Sequence, residues 1–337
     1  MSISNLKETG TLTDRFDRVT DYLRISVTDR CNLRCKYCVD GQFPFIPHEQ
    51  ILRYEEIIRF VRIAAGLGVR KIRLTGGEPL VKRGIPFLIK EIESIPGIED
   101  VAITTNGVLL GRMLPELQEA GLRRVNISLD TMKRDRFAYI TGVDAFDEVL
   151  KSIRASVKSG LNPVKINTVI IQDFNDDEIL DFAKLAKTRN VEVRFIEYMP
   201  FGNSDLWHSA HIITSTEIEE IIRTKYVITP IPKSQAGPSG PARVFHIKGG
   251  VGRVGFISPV STHICHQCNR IRLTAKGTIK PCLFADEEYD VKSMLRSDTP
   301  DDEIRAFIKE AVKAKPERKE EINQIKKCQR NLRHIGG

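Results

Sequence analysis

Seven cysteines occur in this chain of 337 residues, and six of them form two triads. Cys31, Cys35 and Cys38 follow C-x3-C-x2-C within CNLRCKYC, Cys265, Cys268 and Cys282 follow C-x2-C-x13-C, and Cys328 stands alone. In a reducing compartment such groups read as metal or cluster ligands rather than disulfide partners. The first spacing lets one loop wrap a cube-shaped iron–sulfur cluster, and three thiolates leave one iron open to bind a small molecule. Zinc competes for the same thiolates, but structural zinc sites close with a fourth Cys or His. The nearest histidine, His48, has no pairing of that kind. The second triad leaves two readings open: a second cluster with an open iron, or a zinc knuckle closed by His263 or His266.

These ligands must be positioned by the elements around them. Segments 22–27, 71–75, 100–104, 124–129, 164–170 and 191–197 read as strands, separated by stretches of helical spacing such as 54–68 and 147–160. Glycines at 68, 121 and 160 punctuate helix ends. Six βα units in series imply a parallel sheet. A dinucleotide-binding fold would place G-x-G-x-x-G after the first strand, where this chain has TDRCNLRCKYC. The expectation is therefore an α/β, TIM-like barrel, incomplete because six strands are too few to close an eight-stranded ring. The first triad then sits at the C-terminal end of a strand, where such folds place active sites. Past Met199 the texture changes to a Gly/Pro/Ser-rich loop at 233–243, two hairpin-like stretches at 244–260 and 271–284, a helix at 301–314 and a charged tail. The chain is expected to divide into a barrel over 1–205 and a C-terminal α+β domain over 206–337.

Parallel-barrel strands are usually apolar runs. Here Arg24, Arg73, Lys165 and Arg194 stand within them or near their C-terminal ends. Burying a cation is costly without an anion, so four in equivalent elements imply a shared anionic guest, most simply a polyphosphate. A local carboxylate is the alternative for each one, with Glu197 available to one of them. In NRIRL, Arg270 and Arg272 share one face if the segment is a strand. Glycines in TGGEP at 75–79 permit close backbone approach, and Glu78 offers an anion to an ammonium. The net charge of +8 agrees with an anionic partner without naming it. Basic and acidic residues interleave, as in KPERKEE, which reads as a solvated face rather than a nucleic-acid patch. No apolar run suits a membrane span and the first residues lack a secretory h-region, so a cytoplasmic protein without membrane or nucleic-acid partners is expected.

CNLRCKYC, with Tyr37 as its aromatic, and TGGEP together resemble the radical S-adenosylmethionine superfamily. That resemblance implies a [4Fe–4S] cluster whose open iron chelates the methionine amine and carboxylate. It also implies cofactor contacts from Tyr37, Gly77, Ser128 at the end of the fourth strand, and Met199 past the sixth. With the second triad, NRIRL and a terminal Gly-Gly, essentially the whole chain resembles the GTP 3′,8-cyclase family. The resemblance implies a lyase with two [4Fe–4S] clusters, a C-terminal cluster domain covering the open side of the barrel, and GTP held between the clusters. Arg24, Arg73, Thr104, Lys165, Arg270 and Arg272 would contact GTP, with Arg194 an outlying candidate. It further implies that a 5′-deoxyadenosyl radical takes the 3′ hydrogen of GTP and that the ribose carbon attacks carbon 8 of guanine. The product, (8S)-3′,8-cyclo-7,8-dihydroguanosine 5′-triphosphate, belongs to the first step of molybdenum cofactor biosynthesis. Gly336 and Gly337 would reach into the cavity as accessory groups, a separate donor would supply the electron, and a homodimer is compatible with this reading. Two rivals differ in what they require. A peptide-modifying radical enzyme would carry more cysteines in its C-terminal part and has no use for the strand cations. A zinc-stabilised, basic nucleic-acid-binding module would hold zinc instead of iron.

Overall fold

The computed structural model describes residues 10–38, 44–199, 212–232, 234–235, 240–262 and 265–317. The first part alternates strands and helices. Strands β1 (Tyr22–Ser26), β2 (Lys71–Thr75), β3 (Asp100–Thr105), β4 (Arg124–Ser128), β5 (Val164–Ile170) and β6 (Glu192–Glu197) are joined through α1 (Tyr54–Gly66), α2 (Ile85–Glu93), α3 (Leu110–Glu119), α4 (Arg134–Thr141), α5 (Phe146–Lys158) and α6 (Ile179–Thr188). There follow α7 (Ser215–Arg223), β7 (Ile228–Pro230), β8 (Arg243–Ile247), β9 (Arg253–Ile257), β10 (Arg270–Leu273), β11 (Thr278–Lys280), β12 (Tyr289–Asp290), α8 (Lys292–Arg296) and α9 (Asp301–Lys313).

Local chemistry sets the helix ends. Gly68, Gly121 and Gly160 take φ of +96°, +102° and +81°, the left-handed geometry that closes helices. Thr214 and Glu217 form a reciprocal capping box at the start of α7. Helix α1 buries Ile57, Phe60, Val61 and Ala64, a stripe of helical period.

The six strands do not form a sheet of their own. The sheet runs β12-β11-β10-β1-β2-β3-β4-β5-β6-β9-β8-β7. Strand β10 pairs in parallel with β1 and β9 in parallel with β6, so the C-terminal segment extends both edges of the six-stranded core. Left bare, those edges would expose rows of unpaired N–H and C=O groups. The two predicted hairpins are present as β8–β9 and β10–β11, and their inner strands dock on opposite edges. The C-terminal part thus completes the barrel wall by entering its sheet.

Alternation along each strand separates two environments. Leu23 and Ile25, Ile72 and Leu74, Val101 and Ile103, and Val125 and Ile127 are buried in the apolar core. The intervening residues face a central cavity. The strand cations are therefore one half of a period-2 pattern and not interruptions of an apolar run.

Candidate active site

The first triad lies on the loop after β1 and opens onto the cavity. Its backbone is held from two sides. Arg34 and Lys36 donate their N–H groups to the carbonyls of Thr141 and Ile140 at 2.7 and 2.9 Å, satisfying carbonyls at the end of α4. Gly77 and Glu78 donate theirs to Thr28 and Arg30 at 2.6 and 2.7 Å. A Cβ on Gly76 would stand 2.6 Å from the Thr28 carbonyl oxygen, and one on Gly77 would stand 2.4 Å from that of Arg30. The close approach that these glycines permit is that of the chain leading into the cysteine loop, where the sequence suggested approach of a ligand.

Glu78 is also held by the chain. Its carboxylate accepts from Leu80 N–H at 3.0 Å, the Thr105 hydroxyl at 2.7 Å and Asn106 N–H at 2.7 Å. It braces β2 against the end of β3 while still lining the cavity. Burial still pushes it up to about 7, against the pull of those bonds. The Tyr37 hydroxyl donates to Asp130 at 2.6 Å, and Asp130 also accepts from Val169 N–H at 2.9 Å, so the aromatic of CNLRCKYC is tied to β4 and β5.

The three cysteines of this loop form no disulfide. Leu33 N–H lies 3.4 Å and Asn106 Nδ2 3.7 Å from Cys31 Sγ, both placed to donate to a thiolate. Burial, then the charges of Cys38 and Asp130, push the Cys35 thiol well up. Iron bound to the loop would bring the positive charge that favours the thiolates, so the donor set fits a cluster. Among the described residues no group of His, Cys, Asp and Glu is arranged to hold a single metal ion. A cluster takes one thiolate per iron and does not need such convergence.

The cavity encloses about 380 Å³ and is lined by both triads. Register places Arg24 between Arg73 and Arg272 on neighbouring strands, three guanidinium groups side by side. Arg73 Nη1 and Arg272 Nη1 are buried without a hydrogen-bond partner. Burial, followed by Arg24 and Arg270, pushes Arg272 far below the ordinary arginine range. Burial lowers Arg24 to about 10 and, together with Arg194, brings Lys165 to about 7. Tyr22, whose hydroxyl accepts from Arg73 Nε at 2.7 Å, would rise on burial, but Arg73, Arg24 and Arg270 outweigh that and bring it to about 8. Among the described residues neither Arg73 nor Arg272 forms an ion pair.

Arg194 has one. Its Nε donates to Glu192 at 2.6 Å, and the same carboxylate lies 3.9 Å from Lys165 Nζ. Glu197 serves elsewhere, accepting from Ser215, Val260 and Ser261 N–H at 2.7, 2.9 and 2.9 Å, and so anchors α7 and the loop after β9. The carboxylate near the strand cations is therefore Glu192, because inward-facing positions alternate along β6 and Glu192 shares the face of Arg194.

Thr104, Ser128 and Met199 also line the cavity, as do Arg270 and Arg272 on the inner side of β10. Every cavity candidate among the described residues is thus brought together. Sequence reasoning missed Tyr22, Asn126 and Asn167, which line the same space, and Arg124, which lines it while ion-paired to Asp100. The period-2 pattern of YLRIS, RVNIS and VKINTVI carried that signal. Asn167 Oδ1 is buried without a hydrogen-bond partner among the described residues.

In the second triad, burial raises the Cys268 thiol, but Arg270 and Lys315 outweigh it and bring it to about 7. His266 is exposed and does not line the cavity. His263, Cys328, Arg330, Arg333, Gly336 and Gly337 lie outside the described residues. Among the described residues no helix is long and apolar enough to cross a membrane.

Comparison with known proteins gives the family. Residues 25–186 match the Radical SAM superfamily model and residues 191–321 the Molybdenum Cofactor Synthesis C model. A GTP 3′,8-cyclase of Moorella thermoacetica is 49% identical over 304 residues, covering 90% of this chain and 93% of that protein. The GTP 3′,8-cyclase of Pelotomaculum thermopropionicum is 46% identical over 96% of this chain and 99% of its own length. Among solved structures, Streptococcus suis SuiB bound to S-adenosylmethionine superposes with a TM-score of 0.58 over 87% of this chain and 69% of that one. At 15% identity that likeness speaks for the fold alone. With two matching family models and relatives at this identity over nearly the full length, the chain belongs to the GTP 3′,8-cyclase family of radical S-adenosylmethionine enzymes.

Proposed function

We propose that this chain converts GTP to (8S)-3′,8-cyclo-7,8-dihydroguanosine 5′-triphosphate, in the first step of molybdenum cofactor biosynthesis, using two [4Fe–4S] clusters. The observation that carries the reading is one cavity lined by both cysteine triads and walled by buried cations, of which Arg73 and Arg272 each keep a buried guanidinium nitrogen without a hydrogen-bond partner among the described residues. Cys31, Cys35 and Cys38 would hold the first cluster, which with S-adenosylmethionine would supply the hydrogen-abstracting radical. Cys265, Cys268 and Cys282 would hold the second, which would supply an iron able to bind the guanine.

The remaining work belongs to the chain itself. Arg24, Arg73, Lys165, Arg270 and Arg272 take the triphosphate, and Thr104 adds a hydroxyl. Glu192 holds Arg194 and keeps Lys165 within reach of it. Ser128, Tyr37 and Met199 contact S-adenosylmethionine. Gly77 contributes its carbonyl only, because its N–H is spent on Thr28. Val169, Ile196 and Ile257 line the cavity with apolar surface, which excludes water and quenching groups from a reactive intermediate. Positioning is most of the catalysis, since a radical reacts with whichever hydrogen it meets first. The division into 1–205 and 206–337 is retained as a functional one, its boundary lying outside the described residues.

Anaerobic iron, zinc and sulfide analysis, with product identification from GTP, tests the proposal. The expected result is about eight irons per chain and a cyclised nucleotide. Zinc in the second triad, or unchanged GTP in reduced enzyme with S-adenosylmethionine, would overturn it.

A further inference from the structure

The two triads sit in opposite electrostatic surroundings. Beside the first lie the buried carboxylates Glu78 and Asp130, reached through Asn106 and Tyr37. The second is gripped by cations from two remote segments. Arg18, on the turn before β1, donates to the Cys265 carbonyl at 2.9 Å and to those of Pro316 and Glu317 at 2.7 and 2.9 Å. Lys315, just past α9, donates through Nζ to the Cys268 carbonyl at 2.5 Å.

Charge decides which cation matters. Arg18 is paired with buried Asp14 at 2.6 Å and adds little net charge. Lys315 is 3% exposed, and among the described residues no carboxylate forms an ion pair with it. Arg270, which bonds to the Cys268 thiol and acts on it more strongly than Lys315, and Arg272, close to Cys282 and Cys268, both line the cavity that takes the anionic substrate. Lys315 does not line the cavity, so its charge stays with the cysteine loop when an anion occupies the site. A buried charge acts through a low dielectric and is weakly screened by salt, so it favours the more negative state of whatever the thiolates hold.

We propose that Lys315 is the counter-charge of the second triad, holding its loop through the Cys268 carbonyl and raising the reduction potential of the cluster bound there. The inference rests on the two-cluster reading. It makes Lys315 a positioning residue that acts through the cysteine loop, with the second cluster reduced before the first.

The test is an EPR-monitored redox titration of the full chain. Wild type is compared with a Cys31→Ala, Cys35→Ala, Cys38→Ala background, in which the second cluster is seen alone. A background holding no iron would mean that the two-cluster reading has failed, and the inference with it. With about four irons present, Lys315→Met is expected to shift the potential to a more negative value, and Lys315→Arg to restore it. An unshifted potential in Lys315→Met with iron retained would overturn the proposal. Should Lys315→Met lose its iron, Lys315→Arg decides: retained iron at the wild-type potential supports the counter-charge, and loss of iron there too refutes it.

Discussion

Replacing Arg73 with methionine separates a binding role from a structural one, because the two predict opposite signs. In the ligand-free protein Arg73 is 6% exposed, its Nη1 has no partner, and Arg24 lies directly across on β1. An unsatisfied buried polar group costs about 1–3 kcal/mol, and a like charge beside it adds to that. Methionine fills much of the same volume and removes both penalties, at the expense of the 2.7 Å bond to Tyr22. Arg73→Met should therefore leave the free protein as stable as wild type or up to about 2 kcal/mol more stable. With GTP present the same change removes one side of a desolvated charge pair, a loss of about 2–5 kcal/mol. At about 1.4 kcal/mol per decade, that is roughly a 30-fold to 4,000-fold weaker Kd. Anaerobic calorimetry with GTP and denaturant unfolding without it measure the two quantities independently. GTP affinity within about threefold of wild type, against that 2–5 kcal/mol expectation, would refute the cation-layer argument. So would a large fall in ligand-free stability, which would make Arg73 a structural residue.

Three further outcomes follow from the same geometry. Lys165 sits at about 7 in the free protein against an ordinary 10.5, so the unfolded chain holds a proton between those values that the folded one lacks. Its burial penalty is full below about 7 and fades as pH rises through that window, and GTP binding at about pH 8 should draw in a proton. Calorimetry in buffers of different ionisation enthalpy should detect that uptake, and its persistence in Lys165→Met would assign it to another group. Gly77→Ala drives a Cβ against the Arg30 and Asp29 carbonyls and should displace the first cysteine loop at an overpacking cost of about 1–3 kcal/mol or more. Its iron should fall by about half with the second triad still loaded, and full iron with normal S-adenosylmethionine cleavage would contradict the clamp. Cys268→Ala should still cleave S-adenosylmethionine but bind GTP poorly, whereas loss of Cys31, Cys35 or Cys38 should abolish cleavage. A Cys268→Ala protein unable to make 5′-deoxyadenosine with its first cluster intact would break that division of labour.

What the linear chain settled was whatever depends on neighbours in sequence. The spacing of Cys31, Cys35 and Cys38 puts all three thiolates in one eight-residue stretch after the first strand, since so short a span of chain cannot separate them widely. Glycines 68, 121 and 160 mark helix ends because left-handed backbone suits them and few other residues. Arg24, Arg73 and Lys165 alternate with buried aliphatics because a strand turns successive side chains to opposite faces. Partners remote in sequence were decided only in three dimensions. Glu78 meets Thr105 and Asn106, and Glu197 meets Ser215, Val260 and Ser261, because each pairing depends on register and loop course. Strands β9 and β10 complete opposite edges of one sheet, which brings the second triad to the mouth of the first. Arg18 and Lys315 reach that triad from segments at the two extremes of the described chain. No periodicity encodes such contacts, because they arise from the packing of finished elements rather than from the order of residues within any one of them.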